Sequence, residues 1–104
     1  MVADGNCIIS YINPAYSRLT GLDPKQEIGR VLHDNIPSGP LREAITTGRP
    51  VYGRRYQPPG SKAELIVNAA PIFVNGQIIG GVSFCQDISD ILLLKLWKIR
   101  PWSC

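Results

Sequence analysis

The second half of the chain carries the clearest pattern of apolar and polar positions. Residues 63–74, AELIVNAAPIFV, and 77–86, QIIGGVSFCQ, are two apolar runs joined by Asn75-Gly76. Asn-Gly between such runs is a strong hairpin signal, because a tight two-residue turn needs positive φ at both positions. Pro71 has no N–H to offer a neighbouring strand, which places it at an edge, an end or a bulge. Upstream, VYGRRYQ (51–57) predicts a third strand, and PPGS predicts the turn after it. The pattern stops abruptly at DISD (87–90), where Asp and Ser are good helix caps, and an apolar tail, ILLLKLWKI, follows.

The first half reads differently. Cys7–Ile12 is a short apolar run, predicted to be a strand after the Asp4-Gly5 turn. Asn13-Pro14 then predicts a helix start: Asn caps, and Pro occupies a first-turn position where an N–H is not needed. That helix ends at Gly21. DPKQEIG repeats the device with Asp23 and Pro24, and RVLHDNIP (30–37) predicts one further helical turn. Residues 38–48, SGPLREAITTG, predict a longer helix in which Leu41, Ala44 and Ile45 share a face. A strand, short helices, then three antiparallel strands define an α+β fold with helices on one face of the sheet.

Composition narrows the function. At 104 residues the chain suits one domain with a modest core. The net charge of +3 comes from scattered Lys and Arg, with Arg54-Arg55 the only adjacent pair, so a basic nucleic-acid-binding stripe is not expected. Three cysteines, Cys7, Cys85 and Cys104, show no zinc-type spacing. Free thiols in a reducing, cytoplasmic setting are expected. The start, MVADGNCIIS, does not read as a signal peptide. The tail, broken by Lys95 and Lys98, is too short for a membrane span. No phosphate-cradling loop, nucleophile elbow or usefully spaced carboxylate pair is present, so an enzyme is not expected.

Taken together, DGNCIISYINPAYSRLTG (4–21), GRVLHDNIP (29–37) and PIFVNGQIIGGVSFCQDIS (71–89) resemble the PAS domain family. The resemblance spans roughly residues 2–90; segment 91–104 is read as an exit helix or a non-native tail. IPSGPLREAITTGRPVYG is similar, more narrowly, to the PAS modules of sigma-54-dependent transcriptional activators; PAS modules of histidine kinases are the alternative. The resemblance implies a PAS-like antiparallel sheet of about five strands. Its first strand is truncated, since only Met1, Val2 and Ala3 precede the Asp-Gly turn. That truncation predicts unpaired backbone, and hence a homodimer or a strand borrowed from another chain. The resemblance also implies a sensory module that binds a small molecule or partner and relays through Asp87 and Ser89 to an ATPase or kinase output domain. Direct binding of nucleic acid or membrane is not expected, and a ligand-free dimerisation module is the competing reading.

Alternation along the strands gives the pocket face that the resemblance implies. Leu65, Val67 and Ala69 fall on one side of the first hairpin strand, and Ser83 and Cys85 on the matching side of the second. Arg55 is placed on the same face, where it would anchor a small anionic metabolite; otherwise it is solvated and the face is packed core. Small residues at 69, 81 and 83 leave room. Leu32 stands where the flavin-binding, light-sensing branch of the family needs Cys, so flavin photochemistry is not expected. His33, the only histidine, lies before the long helix on which the haem-binding branch places its ligand, so haem is not expected either. Cys85 is either an inert core thiol or, if exposed, a redox sensor. Asn13 and Asn68 are read as structural.

Overall fold

The computed structural model describes residues 1–33 and 37–88. Its elements are β1 (Val2–Asp4), β2 (Ile9–Tyr11), α1 (Pro14–Thr20), α2 (Pro24–Glu27), α3 (Gly39–Thr47), β3 (Val51–Tyr56), β4 (Leu65–Val74) and β5 (Gln77–Asp87). The five strands form one antiparallel sheet in the order β2-β1-β5-β4-β3. The predicted tail helix over 91–104 and the Ser89 junction lie outside the described residues.

The helix starts follow their sequence signals. Asn13 Oδ1 accepts from the Tyr16 N–H at 2.7 Å, and Asp23 Oδ1 accepts from the Lys25 N–H at 3.0 Å. Each caps a helix whose first residue is proline. Ser38 precedes α3 but makes no side-chain cap bond. The hairpin turns at Asn75-Gly76, both at positive φ (51° and 79°), as a tight turn of this kind requires. Pro71 stands beyond Ala69, the last residue of β4 paired with β3, so on that side β4 has become an edge.

Two expectations are corrected. The first strand, though only three residues long, occupies the interior of the sheet. Val2, Ala3 and Asp4 pair with Val82, Gly81 and Gly80 of β5, while Val2 and Ala3 pair with Tyr11 and Ile9 of β2. Backbone bonds extend the ladder through Met1 to Ser83, at 3.1 Å and 2.8 Å. The second correction concerns RVLHDNIP. After a turn at Gly29, Val31 and Leu32 run beside β2 rather than in a helix: Gly29 and Leu32 donate to Ile9 and Cys7, Ile9 donates to Arg30, and Ile8 bridges Val31. The run is apolar enough to serve the sheet as a flanking segment, which helical periodicity alone did not reveal.

The core lies between the helices and one face of the sheet. Ala3, Ile9, Ile12, Tyr16, Leu32, Leu41, Ala44, Ile45, Val51 and Ala69 form one buried cluster. α3 packs tightly on the sheet at Gly81, where an added Cβ would lie 2.8 Å from both Leu41 Cδ1 and Ile45 Cγ1. The room that the small residue at 81 was expected to leave is therefore filled by α3, and Ala69 is buried in the same core.

Candidate ligand-binding site

The hairpin register sorts its residues between the two faces. Leu65, Val67 and Ala69 of β4 stand opposite Asp87, Cys85 and Ser83 of β5, all on the helix side of the sheet. Leu65 and Val67 are fully buried, and Ala69 and Ser83 nearly so; Cys85 is half-buried, and Asp87 is exposed at the strand end. Leu32 is buried within the main core. Alternation thus recovered this face correctly on β4 and β5.

Arg55 does not share it. Three steps along β3, from Val51 to Arg54, cover two steps along β4, from Ala69 to Val67. The extra residue forms a bulge at Gly53, whose φ is +69° and whose N–H donates to Asn68 Oδ1 at 2.8 Å. Downstream of it, Arg54 and Tyr56 stand opposite Val67 and Leu65, while Arg55 stands opposite Ile66 on the outer face and is exposed. Arg54 on the inner side is engaged with Glu43 of α3 at 2.9 Å. The arginine anchor expected for an anion is therefore absent at Arg55, because a bulge shifts the alternation by one. Gly53 inside a strand was the available signal.

A cavity of about 130 Å³ lies between α1 and β5. Asn13, Ala15, Tyr16 and Leu19 line it from the α1 side, and Met1 and the β5 run Ser83–Cys85 from the sheet. Of the expected site residues, it gathers Ser83 and Cys85. Tyr16, missed in the sequence because it reads as one more apolar position on a helix, provides its central polar group. The Ser83 hydroxyl donates to the Tyr16 phenol oxygen at 3.3 Å. Burial pushes the Tyr16 phenol up to about 12, against the opposing effect of its hydrogen bond from Ser83. Burial likewise pushes the Cys85 thiol up to about 11, opposed by the Met1 ammonium. A thiol held protonated is a poor nucleophile and a poor redox sensor. A surface groove of about 470 Å³ lies elsewhere, lined by Glu43, Thr47, Arg49, Pro50 and Val51. Among the described residues, no cluster of three or more His, Cys, Asp and Glu is arranged to hold a metal ion. No helix among them is long and apolar enough to cross a membrane.

An antiparallel five-stranded sheet with its helices on one face is a PAS-like fold. The chain belongs to the PAS domain family, whose model matches residues 1–90. Among characterised relatives it is similar to a probable C4-dicarboxylate sensor kinase of Halalkalibacterium halodurans, with 34% identity over 83 residues, 80% of this chain and 15% of that protein. Among solved structures it is similar to the Vibrio cholerae VqmA dimer in the absence of its target DNA, with 27% identity and a TM-score of 0.62 over 86% of this chain and 45% of that one. It is also similar to VqmA bound to DPO, with 27% identity and a TM-score of 0.61 over 91% and 53% of the two chains. The PAS domain of Bordetella pertussis BvgS, 20% identical with a TM-score of 0.63 over 94% of this chain and 82% of that one, shares the fold. The chain thus spans a small part of the kinase and about half of VqmA.

Proposed function

We propose that this PAS domain is the sensory module of a bacterial, cytoplasmic signalling or transcription-regulatory protein. In this reading it binds a small molecule in the cavity between α1 and β5 and relays occupancy through the end of β5 at Asp87 and Ser89. The receiver is an attached output domain, an ATPase of the sigma-54 activator type or a histidine kinase. The module performs no catalysis and needs no haem, flavin or metal. The observation that carries the reading is the Tyr16–Ser83 hydroxyl pair at the cavity. Ser83 lies on β5, the strand that leads to the junction, so a ligand touching it acts directly on the relay element. Ile88, just past β5, is buried and donates to the Glu64 carbonyl at 2.8 Å, so the chain is still held to the sheet at this residue. Ligand binding then favours one arrangement of strand and exit over another. The relatives include both a sensor kinase and a protein with target DNA, which supports either kind of output.

Native mass spectrometry of the freshly purified chain, followed by denaturation, tests this reading. A released compound that is lost in Tyr16→Phe supports a ligand sensor. A homogeneous dimer carrying no compound favours the second reading, a ligand-free dimerisation module. One observation supports that alternative: the outer sheet face carries exposed Tyr11, Tyr52 and Phe84 beside half-buried Val2 and Val82.

A further inference from the structure

The cavity between α1 and β5 is specific in size, hydrogen-bonding capacity and charge, and these fix the chemistry of an occupant if the sensory reading holds. We propose that it takes an uncharged ligand of about benzene size bearing a single hydroxyl, held by the Tyr16–Ser83 pair, and that it excludes dicarboxylates.

Size comes first. The volume is about 130 Å³. An apolar cavity of about 150 Å³ admits benzene, so this one suits a ligand of about six to eight non-hydrogen atoms. Drug-sized ligands occupy roughly 300 Å³ or more.

Hydrogen bonding comes second. Tyr16 and Ser83 bring two hydroxyl protons, and the 3.3 Å bond between them uses one. The other proton and the remaining lone pairs serve a third polar atom. A ligand hydroxyl, donor and acceptor at once, completes the set. Ala15 and Leu19 supply apolar wall, and the Cys85 thiol adds only a weak donor.

Charge comes third. Among the described residues lining the cavity, the one formal charge is the Met1 ammonium, which gives one of its three protons to the Ser83 carbonyl at 3.1 Å and whose charged form burial disfavours. Arg55 faces outward, and Arg54 is held by Glu43. A dicarboxylate brings two charges to this one amine, so at least one carboxylate would be buried unpaired at a large desolvation cost.

The test uses the 104-residue chain, labelled with ¹⁵N and titrated separately with 4-fluorophenol and succinate. The expected result is saturable movement of the Ser83 and Cys85 amides with 4-fluorophenol, mirrored in its ¹⁹F signal, and no movement with succinate. Tyr16→Phe and, independently, Ser83→Ala should each weaken 4-fluorophenol about five- to tenfold, the loss of one hydrogen bond. Either variant serves if the other does not fold. Saturation of the same amides by succinate overturns the proposal and leaves the sensory reading standing. So does 4-fluorophenol binding that is indifferent to loss of both hydroxyls. If neither probe moves these amides, the proposal falls, and a compound released in native mass spectrometry then decides separately whether the sensory reading survives.

Discussion

Replacing Gly81 by alanine sets a methyl carbon 2.8 Å from Leu41 Cδ1 and Ile45 Cγ1, both in the body of the core. Those side chains belong to α3 and must repack within the buried core to make room, while the Ala70 carbonyl oxygen, 3.1 Å from the added carbon, is fixed in the sheet. Gly81→Ala should therefore destabilise the domain by about 1–3 kcal/mol, read as a lower urea midpoint. A surface glycine such as Gly60, with open space around its Cβ position, shows no such clash. Tyr16 makes a second prediction at this scale. Its phenol is pushed from 10 up to about 12 because the fold buries the neutral form. The folded pKa lies above the unfolded one, so this contribution is complete below about pH 10 and is lost as pH rises through about 12. The two-unit difference corresponds to roughly 2–3 kcal/mol. Absorbance at 295 nm should show one tyrosine titrating late, and Tyr16→Phe should remove it. Urea unfolding at about pH 9 and about pH 11.5 should show the stability loss shrink in that variant.

Elements whose formation is decided locally were legible in the sequence. Asn13-Pro14, Asp23-Pro24 and Asn75-Gly76 each fix a cap or turn through their own backbone chemistry, and the structure places α1, α2 and the β4–β5 hairpin there. Alternation along β4 and β5 also gave the correct face, because these strands pair without interruption from Leu65–Asp87 through Ile72–Gly80. Features that depend on two elements at once were not legible. The filling of Gly81 requires knowing that α3 crosses there, and the role of Tyr16 requires knowing what stands opposite its hydroxyl. β3 was the intermediate case, since its bulge depends on the Gly53 N–H finding Asn68. Gly53→Val should be among the more damaging changes on this exposed strand, because a β-branched residue resists a φ of +69°. The expected cost is about 1–3 kcal/mol. In an HSQC spectrum the Asn68 side-chain amide should shift, and the Arg54–Glu43 contact should be lost if β3 reverts to simple alternation.

At the scale of the whole molecule, the sheet has one face covered by helices and one on which Tyr11, Tyr52 and Phe84 are exposed. If that outer face joins two copies, sedimentation equilibrium should show a dimer that Phe84→Lys weakens by an order of magnitude or more, with the thermal melt little changed, since Phe84 packs against solvent rather than the core. The short first strand gives no reason to seek a borrowed one, because β1 is already paired on both sides. The bulge at Gly53 has a consequence for how related chains are compared. A relative one residue shorter here would lose the bulge yet keep Arg54 inward and Arg55 outward, since a regular strand of that length alternates the same way. A relative of equal length with valine at this place would align without a gap and yet present the opposite arginine to the interior. Along β3, then, conserved length is a poor guide to conserved facing, and the identity of one unpaired residue carries that information instead.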